Sequence, residues 1–298
     1  MSETDFDDEE RLFLESEYNP RLTVANVEAI FERWVQTAEQ ARSAWPDIRL
    51  DIPYGDSPKA KFDFVPPAPD SRKDGDGPAP LVIFIHGGYW RAMDKSMFTH
   101  LAKPCREAGI GFALVGYELC PTVTLPEIVV AARAAVAKII GMAPELGVDP
   151  DRVILCGHSA GGHLTGMCLL DESSSNPDWA TIPPLLGAIS ISGLFDLDPI
   201  RAISVNETLQ LDRKTTGPLS PLFKVPRPGT RLALAVGEQE SQSFHEQSAS
   251  LGREWAAHGA ELGPAILQGH NHFTAVETLS HPQGDLMRII LEWVNEPA

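Results

Sequence analysis

Gly157-His158-Ser159-Ala160-Gly161 sets a serine midway between two glycines, directly after the short apolar run Val153-Ile154-Leu155-Cys156. The residues that follow, Gly162 to Leu170, can continue as a helix. Strand, sharp turn and helix in that order form the setting of a nucleophile elbow, where the serine takes a strained backbone and its hydroxyl stands at the carboxyl edge of a parallel sheet. Gly157 and Gly161 leave room for strand and helix to approach closely. A helix beginning beside Ser159 aims backbone N–H groups at the reacting centre. The alternative is a plain glycine-rich turn, so the rest of the chain must supply the partners.

Upstream, Leu81-Val82-Ile83-Phe84-Ile85 is a continuous apolar strand of the kind buried at the centre of a parallel sheet. Phe112 to Tyr117 is the next buried strand, and Leu125 to Met142 carries Leu125, Ile128, Val129, Ala132, Val136, Ile139 and Ile140 on one helical face. Ile48–Pro53 and Lys61–Val65 read as an opening hairpin, and Pro66 to Pro80 as an exposed loop. Downstream come strands at Leu186–Ser192 and Arg231–Val236, then a helix from about Ser243 to His258. A weak strand near Ala265–Gln268 and a C-terminal helix over Gly284–Asn295 close the chain. Strands alternating with helices predict an α/β fold, a mostly parallel central sheet with helices on both faces. Residues 22–45 repeat apolar positions at helical spacing and extend that fold at its N-terminal end. Their stripe is expected to pack on the domain body; a cap over the active-site mouth is the alternative. Residues 1–17, rich in Asp and Glu, read as an acidic flexible arm, and 18–298 as a single domain.

A serine nucleophile needs a base for its proton and an acid to hold that base in one tautomer. On this fold the chain order is Ser, then Asp or Glu, then His. Val236-Gly237-Glu238-Gln239-Glu240 ends one strand with two candidate acids, Glu238 and Glu240, and Gly269-His270-Asn271-His272-Phe273 offers His270 or His272 as base. Asp196 is a weaker acid candidate. His86-Gly87-Gly88, just after the central strand, serves a different need. Gly87 and Gly88 permit a backbone whose N–H groups turn inward toward an oxyanion, and Ala160 adds another donor. His86 itself reads as a structural hydrogen-bonding residue. Tyr89 and Trp90 project near the site as an aromatic wall, with core packing the alternative for Trp90. His158, beside the nucleophile, is read as elbow framework and completes the residues expected around the substrate.

With 298 residues the chain can bury a substantial core. A net charge of −17 argues against nucleic acid or an anionic membrane as partner, since phosphate binding needs a basic patch. The four cysteines, Cys105, Cys120, Cys156 and Cys168, form no metal or disulfide framework, and no dinucleotide fingerprint or phosphate loop is present. No metal and no cofactor is expected. The acidic start has no signal-peptide pattern and no apolar run approaches the ~20 residues of a membrane span, so the expectation is a cytoplasmic protein acting on a small molecule. A homodimer stays open.

His86-Gly87-Gly88-Tyr89-Trp90, the Gly157–Gly161 elbow, Gly193-Leu194-Phe195-Asp196-Leu197 and Phe244-His245-Glu246-Gln247-Ser248 together resemble the kynurenine formamidase (arylformamidase) branch of the α/β-hydrolases. The likeness begins near Tyr18-Asn19-Pro20 and runs to the C-terminal helix. HGG with GxSxG alone marks only the wider hormone-sensitive-lipase-like esterases. The resemblance implies Ser159 as nucleophile and His272 as base. Where that branch usually carries Asp-Ser-Pro-Glu-Phe, this chain reads Glu240-Ser241-Gln242-Ser243-Phe244, which puts Glu240 in the acid position. The implied activity is hydrolysis of an aryl formamide such as N-formyl-L-kynurenine. A short-chain carboxylesterase and a non-catalytic binding homologue are the two alternatives.

Overall fold

The apolar runs pair into one eight-stranded sheet. A computed structural model describes residues 6–73, 75, 77–170 and 180–296. Its strands are β1 (Arg49–Pro53), β2 (Lys61–Val65), β3 (Ala79–Ile85), β4 (Gly111–Val115), β5 (Val148–His158), β6 (Gly187–Ile191), β7 (Arg231–Gly237) and β8 (Glu261–Leu267). They lie in the order β1-β2-β4-β3-β5-β6-β7-β8. β1 and β2 run antiparallel, as do β2 and β4; every pairing from β4 through β3 to β8 is parallel. This is the mostly parallel α/β architecture expected from the sequence.

Period-two alternation divides the buried side chains between the two faces. Leu81, Ile83, Ile85, Val153 and Leu155 enter one core with the helix Leu125–Gly141, the elbow helix Ala160–Cys168 and the helix Gln242–Ala257. Val82, Phe84, Ile154 and Cys156 enter the other, with the helices Val27–Ala44 and Asp285–Asn295. Each fully buried aliphatic or phenyl side chain stabilises the fold by roughly 1.5–3 kcal/mol relative to exposure. All four cysteines are buried free thiols within these cores. β8 starts earlier than Ala265, at Glu261, and as an edge strand it tolerates Pro264 and an exposed Ile266. No helix among the described residues is long and apolar enough to cross a membrane.

The N-terminal region departs from expectation. The first five residues lie outside the described residues, but Asp8–Tyr18 is a helix rather than part of a flexible arm. Asp7 and Glu10 form a reciprocal capping box, with Glu10 N–H donating to Asp7 Oδ1 at 2.9 Å and Asp7 N–H to Glu10 Oε2 at 3.0 Å. Asp8, Glu9 and Glu10 in its first turn complement the helix dipole. The charge run that reads as a solvated tail is thus a helix start. Tyr18 at its far end is buried, and Glu15 accepts from the N–H and hydroxyl of Ser204. The helix over residues 22–45 also divides: a single turn, Pro20–Thr23, precedes the longer helix Val27–Ala44, with Asn26 at φ +58° marking the break.

That longer helix is fastened by Trp34, whose indole N–H donates to Glu277 Oε1 at 2.7 Å beside Arg33 Nη2 at 2.6 Å. The Trp34 ring meets Phe31 and Phe98 at centroid distances of 5.3 and 5.2 Å. Trp34→Phe is expected to lower stability by about 1–3 kcal/mol, through the lost hydrogen bond and the smaller ring. Urea unfolding checks this; a change below about 0.5 kcal/mol would show that the helix docks without this anchor.

Candidate active site

Ser159 stands at the end of β5 with φ +56° and ψ −117°, a conformation unfavourable for a side-chain-bearing residue. Two backbone hydrogen bonds hold it there: Ser159 N–H donates to Ile191 O at 2.7 Å, and His163 N–H to Ser159 O at 3.0 Å. The flanking glycines are required by space. A Cβ at Gly157 would overlap the Gly161 carbonyl, and one at Gly161 would overlap the Ile85 carbonyl of β3.

His272, from the loop after β8, brings Nε2 to 3.0 Å from Ser159 Oγ and Nδ1 to 2.7 Å from Glu240 Oε2. Glu240, from the turn after β7, is fully enclosed. Its Oε1 accepts from the Ser192 hydroxyl at 2.5 Å and the Gly237 N–H at 2.7 Å. Burial alone would raise its pKa; the His272 imidazole, the Ser192 hydroxyl and the Gly237 N–H outweigh that and hold the carboxyl below its ordinary value. An ionised Glu240 accepts only, so Nδ1 carries the proton and Nε2 is left to accept from Ser159.

The other candidates lie elsewhere. Glu238 Oε2 accepts from Gly269 N–H at 2.8 Å and fastens the neighbouring loop. The carbonyl of His270 accepts from Gln239 N–H at 3.0 Å. Asp196 Oδ1 accepts from Asp198 N–H at 3.0 Å, and burial raises its carboxyl pKa. His86 stacks on Tyr117 with centroids 4.4 Å apart, and burial pushes its pKa down to about 4. It is a structural histidine.

Gly88 lines a cavity of about 200 Å³ that also opens onto Ser159, His158, His272 and Tyr89. Gly87 packs against the elbow itself, where a Cβ would come within 2.8 Å of His158 O. Ala160 is the first residue of its helix. Among the described residues no hydrogen bond engages the N–H of Gly88 or Ala160, so both donors are available to a bound oxyanion.

Trp90 corrects the sequence reading. Its side chain is completely buried, edge-on to His163 at 4.9 Å, and takes no part in the cavity wall. Tyr89 and Trp90 both have positive φ, +50° and +53°, and this tight turn sends one ring to the cavity and the other to the core. His158 lines the cavity, and its Nε2 lies 2.8 Å from His272 O, tying the elbow to the His272 loop. Burial pushes its pKa down to about 3, so no second cation competes beside His272.

Sequence reasoning missed several residues here. Ser192, at φ +53° just after β6, was legible only as part of the Gly193–Asp196 loop. Phe31, Arg21 and Arg91 also line the cavity. Three of the segments that carried the resemblance are joined behind the Tyr89 wall through Tyr18 and Gln247. Tyr89 hydroxyl donates to Tyr18 O; Gln247 Nε2 donates to Tyr18 Oη and Asp196 O at 3.0 and 2.9 Å. Gln247 Oε1 accepts from the N–H groups of Phe195 and Asp196 at 2.7 and 2.8 Å.

A family model described as BD-FAE matches residues 70–183. The chain is 28% identical to a kynurenine formamidase of Danio rerio over 97% of each protein. A solved structure from Silicibacter sp. TM1040, provisionally described as a thioesterase, superimposes with a TM-score of 0.79 at 31% identity, covering 93% of this chain and 98% of that one. The chain belongs to the kynurenine-formamidase-like branch of the α/β-hydrolases. It is a hydrolase. A more distant likeness, 31% identity to a probable isoprenylcysteine α-carbonyl methylesterase of Arabidopsis thaliana, spans only 43% of this α/β-hydrolase and 26% of the plant protein. The likeness to the formamidase, by contrast, extends through the N-terminal helices that wall the cavity.

Proposed function

We propose that this enzyme hydrolyses an aryl formamide of the N-formyl-L-kynurenine type through Ser159, His272 and Glu240. Near full-length likeness to a kynurenine formamidase carries the substrate class, because it includes the Asn19–Arg21 segment and the Phe31 helix that border the cavity. On this reading Ser159 Oγ attacks the formyl carbon while His272 Nε2 takes its proton. The carbonyl π electrons move to oxygen, where the Gly88 and Ala160 N–H groups meet the charge. Collapse breaks the C–N bond, and His272 returns the proton to the departing arylamine. Water then attacks the formyl ester with the same base, releasing formate and restoring Ser159.

A short-chain carboxylesterase uses the same groups, and the distant methylesterase likeness favours it as second reading. Steady-state kinetics on N-formyl-L-kynurenine beside p-nitrophenyl acetate and butyrate separates the two. The formamidase reading expects kcat/KM on the formamide to exceed that on acetate and a steep further fall to butyrate. Efficient butyrate turnover with an inert formamide would assign the enzyme to esters.

A further inference from the structure

Resting on the reading of Ser159 as the reacting group, we propose that Arg91, assisted by Arg21, forms a carboxylate-binding subsite, so that the substrate bears a carboxylate. Both arginines line the same cavity as Ser159, from opposite sources: Arg91 from the turn after His86-Gly87-Gly88, Arg21 from the Pro20–Thr23 turn. Two cations at the mouth of one cavity run against the chain's net charge of −17, which by itself repels anions.

Their partners leave them disposable toward a ligand. Arg91 makes no ion pair among the described residues; its Nη1 reaches only the Thr208 hydroxyl, at 3.4 Å. Glu15 feels the Arg91 charge, yet its oxygens are engaged by Asn19 Nδ2 at 2.7 Å and by Ser204. Arg21 pairs with Glu28 at 2.8 Å, with both side chains more than half exposed, 55% and 74%. Such a pair contributes little and is readily exchanged for a ligand carboxylate. The Arg21 guanidinium also lies 5.4 Å from the centroid of Phe31, a cavity wall residue, which keeps it beside the opening. A guanidinium offers two parallel donors that match a carboxylate. The class of substrate is thus an aryl formamide or aryl ester whose leaving group bears a carboxylate, rather than a neutral or prenylated ester.

Two matched pairs test this: N-formyl-L-kynurenine beside its carboxamide, and 4-acetoxyphenylacetate beside 4-acetoxyphenylacetamide. The wild type is expected to prefer the carboxylate member of each pair by about tenfold in kcat/KM, chiefly through KM. In Arg91→Gln that ratio collapses toward one, while Arg91→Lys keeps part of it; Arg21→Gln lowers it less. Because the readout is a ratio within one variant, a general loss of folding or turnover cancels. A wild-type ratio near one, or a ratio preserved in Arg91→Gln, overturns the subsite. A charge preference on the ester pair with an inert formamide pair removes the formamidase reading and leaves the subsite standing. Turnover of neither pair overturns both.

Discussion

Ser159→Ala is expected to lower kcat by about 10⁶-fold, the scale seen when a serine nucleophile that works as one unit with its base is removed. The fold should hardly notice. The strained φ of +56° is fixed by the Ser159 N–H bond to Ile191 O, by His163 N–H on Ser159 O and by the glycine approaches around it, none of which involves the hydroxyl. What disappears is the hydroxyl oxygen placed 3.0 Å from His272 Nε2 in position to attack. Residual activity, about 10³–10⁴-fold over water, would come from the free N–H groups of Gly88 and Ala160 and from substrate positioning. His272→Ala should match the loss, and the double variant should add almost nothing, because the two groups carry one proton between them. Circular dichroism and thermal melting establish that the variants are folded. If Ser159→Ala kept more than about one per cent of wild-type kcat, a water attacking under another base would be required and covalent catalysis would fall.

The elbow was legible because its determinants are local. Gly157 and Gly161 are dictated by close approaches within a few residues of Ser159 and at the end of β3, and the apolar strands around them alternate between two cores as their composition implies. The acid candidates were half legible. Glu238 and Glu240 are both in the turn after β7, and residue spacing alone does not say which carboxylate turns inward; the Gly237 N–H and Ser192 hydroxyl hold that of Glu240 there. The Trp90 side chain was not legible, since its direction depends on two consecutive positive φ values that no propensity of Tyr or Trp announces. The acidic start was misread although its signal was present. Asp7 and Glu10 have the spacing of a capping box, but a run of acids reads first as solvated charge. The cavity wall built by Phe31, Arg21 and Arg91 joins residues distant in the chain, and only the docking of the N-terminal helices brings them together.

Glu240→Gln is the more discriminating test of how the proposed triad works, with an expected loss of about 10⁴-fold in kcat. The substitution keeps shape and volume but replaces one acceptor oxygen by a donor. Gly237 N–H, 2.7 Å from Oε1, can only donate, so the amide oxygen of Gln must occupy that position. The amide NH₂ then faces His272 Nδ1 across what was a 2.7 Å contact. To meet a donor, Nδ1 must become the acceptor, which moves the ring proton to Nε2 and points it at Ser159 Oγ. A protonated Nε2 cannot accept the serine proton. Binding should change little, so the loss falls on kcat rather than KM. Glu238→Gln makes the same chemical change on a residue whose contact is the exposed Gly269 N–H, and its kcat should stay within about twofold. If the two variants exchanged these effects, the role would pass to Glu238. If Glu240→Gln retained wild-type kcat, His272 would not depend on an oriented carboxylate, and the mechanism would reduce to a Ser159–His272 pair.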